Sequence, residues 1–115
     1  MIIIIQMIEN IENIELQFLT LTDYKELKAA MIEAYSSMPD SYWKEAHIRS
    51  LIKKFPEGQV VIKINNELAG CALSIVVNYN KFDEHHTYKE ITGNYKFDTH
   101  DINGDVLYGI DIFIK

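Results

Sequence analysis

A polar segment between residues 80 and 105 is rich in histidine and aspartate, side chains that zinc and similar ions favour as ligands. The candidate ligands are Asp83, His85, His86, Asp98, His100 and Asp101. Adjacent histidines point apart in regular structure, and the chain contains no His-x-His or His-x-x-x-His spacing. His47 is isolated in another part of the chain. The pattern therefore predicts a solvated polar loop and no metal site.

Cys71 is the single cysteine of the chain, so an intramolecular disulfide and a cysteine-based zinc site are both excluded. It lies in the apolar stretch "LAGCALSI", which favours a small core residue over a reactive thiol. Cysteine usage of this kind, with no signal peptide in the sequence, indicates a reducing, cytoplasmic environment.

The charge balance is acidic, with 17 Asp and Glu against 11 Lys and Arg and a formal net charge of −6. Since no basic stripe is present, nucleic acid and anionic lipid are excluded as expected partners. The 115 residues suffice for one domain with a modest core. The start, "MIIIIQMIEN", lacks the basic leader and cleavage site of a signal peptide and the length of a membrane span. We interpret residues 1–13 as an N-terminal extension, a short strand or helix that covers the domain.

The elements that must position these residues follow from hydrophobic periodicity. Residues 14–20 alternate between apolar and polar side chains, which predicts a first strand with Ile14, Leu16 and Phe18 facing inward. Residues 21–35 have the period of a helix, with Thr22 or Asp23 as its N-cap. The side chains expected on the buried face of this helix are Tyr24, Leu27, Met31 and Ile32.

A second helix is predicted after the stretch "SSMPDS". Pro39 would end the first helix, and Asp40 or Ser41 would cap the second one, which covers residues 42–55 and stops at Pro56. Its expected core side chains are Ile48, Leu51, Ile52 and Phe55.

The second half of the chain reads as a hairpin followed by a long connection and a last strand. The Asn65-Asn66 pair tolerates the left-handed conformation that a tight turn between strands 58–64 and 67–79 needs. Residues 80–105 form a polar connection with a helical turn near Thr87 to Ile91. Residues 106–114 are apolar on both faces, which predicts a strand covered on both sides. The result is an α+β fold, strand-helix-helix-strand-strand-strand, with a mostly antiparallel sheet and helices packed on it.

This order, with the words "LTDYKELK", "ELAGCALSI" and "YGIDIFIK" in it, resembles the N-terminal half of a GNAT-superfamily N-acetyltransferase domain. Gly70 stands where the family often has a glycine in its third strand, and residues 106–114 look like the central fourth strand. The stretches "EAYSSMPDSYWKEAHIRSLIKKFPEGQVV" and "TYKEITGNYKFDTHDINGDVLYGIDIF" are more similar still to a subgroup whose GNAT domain precedes a carbon-nitrogen hydrolase (nitrilase-like) domain. The resemblance covers residues 14–115.

The sequence departs from the family pattern in two places. The family's R/Q-x-x-G-x-G/A motif, whose backbone N–H groups hold the cofactor pyrophosphate, is absent, and no two glycines form G-x-G. Gln17 stands where the family often has an arginine in the first strand. We therefore expect residues 14–115 to be a partial domain, inactive by itself, in a protein that continues past Lys115 into the pyrophosphate loop.

The resemblance implies roles for individual residues. A backbone N–H group near Phe113 and Ile114 would donate to the acyl oxygen of acetyl-CoA, which the complete domain would bind. Asp111 is the only acid of the last strand and would take the proton of the amine acceptor, directly or through water. The residues expected to contact the acceptor are Tyr35, Met38, Tyr42, Trp43, Thr87, Tyr88 and Glu90. Alternatively, Asp111 is a solvated polar residue near a strand end, and the aromatic side chains are packing residues.

A non-enzymatic function is the alternative. The chain would then be a stand-alone module that forms a homodimer by pairing strand 106–114 with a second copy, because an open strand edge is a ready template for pairing. As an enzyme, it would act on an amine-bearing acceptor, and the acidic balance is compatible with a cationic one.

Overall fold

The structure, a computed structural model, describes residues 13–38, 40–82 and 85–114. The predictions for residues 1–12, for the break at Pro39 and for Asp83 lie outside these residues. The elements in chain order are β1 (Ile14–Phe18), α1 (Tyr24–Ala34), α2 (Glu45–Lys54), β2 (Val60–Ile64), β3 (Glu67–Val77), α3 (Tyr88–Ile91) and β4 (Val106–Ile114). The predicted α+β class and order are confirmed, with the turn at α3 as a short helix.

The four strands form one antiparallel sheet in the order β1-β2-β3-β4. At the β2–β3 turn, Asn65 and Asn66 have φ angles of 51° and 68°. Both are left-handed, the geometry of a two-residue hairpin turn that matches the twist of the flanking strands. The predicted hairpin is therefore confirmed.

Helices α1 and α2 cover one face of the sheet and bury the core against it. Leu27, Met31, Ile48 and Leu51 are fully buried there. The side chains that meet them from the sheet are Val61, Cys71, Leu73, Ile75 and Phe113. No described helix has the length and apolar character needed to cross a membrane.

Three local predictions for the helices need correction. Ile32 is partly exposed, because it lies about 100° around α1 from the fully buried Met31. Helix α2 begins after Lys44 and not after Asp40 or Ser41, and the Lys44 backbone N–H donates to Nδ1 of His47 at 3.1 Å. Asp23 occupies the N-cap position of α1, as one of the two predicted residues, but its carboxylate does not cap the helix and accepts instead from the Thr20 backbone N–H.

The prediction that Ile14, Leu16 and Phe18 face inward is wrong. Their side chains are 61%, 73% and 63% exposed on the sheet face opposite the helices. Alternation shows which residues share a face, but the register decides which face the helices cover. Leu16 pairs with Ile62, whereas the fully buried neighbour Val61 points to the helices. Pairing with β2 therefore decides which face of β1 the helices cover, and the alternation within β1 does not.

The side chains of β4 do not alternate strictly between the two faces of the sheet. Leu73 pairs with Asp111 and Ser74 with Gly109, which leaves Ile110 as the extra residue of a β-bulge. The bulge turns both Ile110 and Asp111 toward the helices. On the opposite face Ile112 is 73% exposed, so the predicted coverage of both faces is not met by the described residues.

Candidate functional site

The end of α1, the start of α2, helix α3 and the bulge of β4 surround an open cleft of about 510 Å³. Its walls are largely aromatic, and one carboxylate lies at its floor. The lining residues are Tyr35, Ser41, Tyr42, Trp43, His47, Tyr88, Tyr95, Ile110 and Asp111.

Asp111 is half-buried and is held by a tyrosine. The Tyr35 hydroxyl donates to Asp111 Oδ1 at 2.7 Å. Burial and this hydrogen bond raise the pKa of Tyr35 to about 12, so the phenol is a neutral donor at physiological pH. Among the described residues no lysine, arginine or histidine forms an ion pair with Asp111. The cleft therefore presents a carboxylate without a cationic partner.

Aromatic rings close the cleft around Trp43. Its ring centroid lies 6.3 Å from that of Tyr88, 5.8 Å from Tyr95 and 5.3 Å from His47. Tyr88 is fixed by a hydrogen bond of 2.7 Å from its hydroxyl to the carbonyl oxygen of Ile110, the bulge residue. Burial, followed by the charge of Asp111, raises the pKa of Tyr88, which keeps this phenol protonated as well.

Tyr95 reaches the cleft through unusual backbone geometry. Gly93, Asn94, Tyr95 and Phe97 have φ angles between 58° and 66°. Left-handed geometry is costly for residues other than glycine, and it concentrates at functional sites. Phe97 is fully buried beneath Trp43, with ring centroids 5.6 Å apart, and this contact anchors the segment.

Two exposed lysines lie at the ring of Tyr42, which lines the cleft, although neither lysine is itself a lining residue. The Lys44 ammonium lies 3.4 Å from the Tyr42 ring centroid, and the Lys28 ammonium lies 5.3 Å from it. Lys44 first, and Lys28 after it, lower the pKa of the Tyr42 phenol. Burial lowers the pKa of His47, so its imidazole is held neutral beside Trp43. Two cations therefore lie at the edge of the cleft beside Tyr42, whereas the floor holds the carboxylate of Asp111.

The predicted site residues separate into two groups. The cleft brings together Asp111 and four of the predicted acceptor contacts, namely Tyr35, Tyr42, Trp43 and Tyr88. Met38 is 56% exposed and does not line the cleft. The Thr87 hydroxyl caps α3 by accepting from the Glu90 backbone N–H at 3.1 Å, so both residues have a local structural role.

Sequence reasoning missed Ser41, His47, Tyr95 and Ile110. His47 lies four residues after Trp43, a helical spacing that was available as a signal. Tyr95 and Ile110 depend on a left-handed backbone and on a bulge, which have no comparable sequence signal.

Phe113 and Ile114, the residues predicted to meet the cofactor, lie on β4 beyond the bulge. The Phe113 side chain is in the core, whereas Ile114 is 81% exposed. Strand β4 pairs with β3 along one edge, and no other described strand covers its second edge. Alternate N–H groups on that edge are therefore available to an acyl carbonyl. This part of the site fits acetyl-CoA, whereas the sequence holds no glycine motif for its pyrophosphate.

Three of the candidate metal ligands in the long connection have structural partners. Nδ1 of His100 accepts from the Val76 backbone N–H at 3.0 Å, Asp98 pairs with Lys54, and Asp101 accepts from the Asn103 backbone N–H. Within the described ranges, no group of three His, Cys, Asp or Glu side chains is placed to hold a metal ion. Cys71 is buried, and burial raises the pKa of its thiol to about 12, which confirms a core residue.

No protein-family model matches the chain. A stretch of 72 residues, 63% of this chain, is 32% identical to 14% of a probable hydrolase, YhcX, of Bacillus subtilis (strain 168). A stretch of 73 residues, 64% of this chain, is 32% identical to 32% of an uncharacterized N-acetyltransferase, YkwB, of the same organism. The chain thus spans about a third or less of the curated relatives that it matches.

The structure is similar to that of the loading GNATL domain of CurA from Lyngbya majuscula. The TM-score is 0.71 at 17% sequence identity, over 90% of this chain and 48% of that chain. The similarity to the hydrolase-fused subgroup stays a prediction, because the hydrolase match covers a small share of that protein. At such low identity the structural likeness establishes the fold alone: the described residues form a partial GNAT-like fold.

Proposed function

We propose that the chain is the N-terminal part of a GNAT-type N-acyltransferase and that its cleft binds an amine acceptor. The observation that carries this proposal is Asp111, a half-buried carboxylate without a cationic partner among the described residues, placed by a bulge in the strand whose second edge is open. The GNAT-like fold and the relative described as an N-acetyltransferase support the same reaction class.

Acyl transfer to an amine requires a group that accepts the amine proton and a hydrogen-bond donor for the acyl oxygen. An ammonium must lose a proton before its nitrogen can attack, and Asp111 would accept that proton directly or through water. Negative charge then develops on the acyl oxygen, and an N–H group of β4 near Phe113 and Ile114 would stabilise it. Acetyl-CoA supplies the activated acyl group. Because the chain holds no pyrophosphate motif, we propose that it is inactive without the rest of the domain.

Two finer statements belong to the same proposal. We place the protein in the subgroup that carries a carbon-nitrogen hydrolase domain after the GNAT domain, on the stretches quoted above and the partial match to a probable hydrolase. We place it in the cytoplasm on the basis of its single, buried cysteine.

The test is acyl transfer by the full-length natural protein, with product amines detected by mass spectrometry. Asp111→Asn should lower kcat at least about a hundredfold, because general-base catalysis contributes on that order. The matched control is Asp98→Asn, an exposed carboxylate that pairs with Lys54 away from the cleft. Equal rates for the two variants would refute the role of Asp111, and turnover by residues 1–115 alone would refute the inactivity of the fragment.

A second candidate function is favoured by the open edge of β4 and the exposed side chains beside it. Ile112 and Ile114 are 73% and 81% exposed. A homodimer that pairs β4 with β4 would satisfy the free edge and bury both. Light scattering at micromolar concentration tests this, with Ile112→Lys expected to restore a monomer. A monomeric parent chain would exclude this function.

A further inference from the structure

We propose that the acceptor of this cleft carries an anionic group, which Lys28 and Lys44 bind beside Tyr42 while its ammonium end faces Asp111. The inference rests on the proposed function, in which the cleft binds an amine. It specifies the class of the acceptor, which would be a primary amine joined by an apolar spacer to a carboxylate or a phosphate.

The first support is the convergence of two like charges. Both ammonium groups approach one ring, at 3.4 and 5.3 Å from its centroid. Within the described ranges neither lysine has a carboxylate partner, whereas the chain as a whole has an excess of six negative charges. An anion between them would offset their mutual repulsion and would accept hydrogen bonds from both.

The second support is the opposite charge at the floor. Asp111 receives one hydrogen bond, from Tyr35, and has no cation beside it in the described part of the chain. A ligand ammonium would supply a cationic partner for this half-buried carboxylate. The carboxylate lies in the cleft and the two cations lie at its edge on Tyr42, so an acceptor with both charges would find an opposite charge for each.

The third support is the aromatic lining of the cleft. The rings of Trp43, Tyr88 and Tyr95 line it, and Trp43 packs against both tyrosines. Aromatic faces suit a chain of methylene groups and also attract an ammonium that passes them. A short alkyl spacer therefore fits the walls better than a polar one.

Trp43 makes the test direct, because it is the single tryptophan of the chain and it lines the cleft. Its fluorescence is titrated with aminohexanoate, hexylamine and diaminohexane, which share a spacer and differ at one end, and with an aminoalkyl phosphate. Aminohexanoate or the phosphate should bind about tenfold more tightly than hexylamine, since a charge-assisted contact has that order of effect. Diaminohexane should bind most weakly.

The variants Lys28→Met and Lys44→Met should remove the advantage of the anionic probes and leave hexylamine binding unchanged. The backbone N–H of Lys44, which donates to His47, is kept in the second variant. The matched control is Lys25→Met on the same helix, for which the parent preference should persist. Whether the site prefers a carboxylate or a phosphate is shown by which probe binds more tightly, aminohexanoate or the aminoalkyl phosphate.

Several results would overturn the inference: no change in Trp43 fluorescence with any probe, equal affinity for aminohexanoate and hexylamine, or variants that keep the preference. Its failure is distinct from failure of the proposed function. Acyl transfer that requires Asp111 but shows no anion preference would overturn the inference alone. Anion-dependent binding in a protein that transfers no acyl group would overturn the proposed function alone.

Discussion

Tyr35 and Asp111 are 76 residues apart in the sequence, and the phenol of the first donates to the carboxylate of the second at 2.7 Å. Tyr35 is the C-cap residue that directly follows α1, and Asp111 follows the bulge of β4. The contact therefore joins two irregular points of the fold, one on each side of the cleft. It holds the carboxylate in place where burial makes an unpartnered charge costly.

Tyr35→Phe should lower the free energy of unfolding by about 1–2 kcal/mol, because a half-buried carboxylate loses its hydrogen-bond donor. Urea denaturation measures the change. The matched control is Tyr79→Phe, since the Tyr79 hydroxyl has no hydrogen-bond partner among the described residues and the ring is kept. Equal stability of the two variants would mean that the contact does not hold Asp111.

The order of elements was predictable because each one depends on local chemistry. The Asn65-Asn66 turn is an example, since asparagine tolerates the left-handed φ angles that both residues adopt, although Asn65 also exchanges hydrogen bonds with the distant Asn13. The bulge at Ile110 is different: it exists only in the register between β3 and β4. Without the bulge, alternation placed Asp111 opposite Ile110, whereas the structure puts both in the cleft.

The covered face of β1 and the position of Tyr95 were unpredictable for related reasons. Leu16 and Glu15 alternate whichever side the helices take, and only pairing with β2 decides. Tyr95 enters the cleft through a left-handed φ of 66°, which the buried Phe97 stabilises from two residues away. Part of the cleft lining could thus be predicted as aromatic residues near helix ends, whereas residues such as Tyr95 and Ile110 required the tertiary structure.

His100 should make stability depend on pH. Its Nδ1 accepts from the Val76 backbone N–H, and its ring stacks on Phe55 with centroids 4.7 Å apart. Burial lowers the pKa of His100 below the ordinary 6.5, although Asp101 and Glu57 act in the opposite direction. The unfolded chain therefore binds the proton first, so this contribution is complete above pH 6.5 and is lost as the pH falls through the lower, folded pKa.

The measurement is urea denaturation at several pH values between roughly 7 and 5, a range that spans the ordinary histidine titration. His100→Asn keeps an acceptor for the Val76 N–H but does not titrate, so its stability should fall less steeply in acid. A residual slope of the same sign is expected from His47, whose pKa is also lowered. An unchanged slope in the variant would remove His100 from the explanation.

The Gln59 side chain hydrogen-bonds the backbone of Ser74 in β3, just beyond the β3 residues that pair with β2. Its side-chain amide donates to the carbonyl oxygens of Phe55 and Ser74, and its Oε1 accepts from the Ser74 N–H at 3.0 Å. Gln59→Leu should cost about 3 kcal/mol or more of unfolding free energy, because fully buried backbone groups lose their partners. Gln17→Leu is the control and should cost less than about 1 kcal/mol, since among the described residues that amide donates to the Glu15 side chain alone. Similar losses in urea denaturation would contradict this role.

Gly104, just before β4, and Gly109, within β4, differ in the space that is available for a side chain. A Cβ atom at Gly104 would lie 2.4 Å from the Val77 carbonyl oxygen, whereas a Cβ atom at Gly109 would meet nothing within 4 Å. Gly104→Ala should therefore cost about 1–3 kcal/mol through backbone displacement, and Gly109→Ala should change stability by less than about 0.5 kcal/mol. Thermal unfolding of both variants is the measurement. Since the Asp105 backbone N–H donates to the Val77 carbonyl oxygen beside this contact, a loss confined to Gly104→Ala would show that the close approach of Gly104 to Val77 contributes to stability, and equal losses would contradict it.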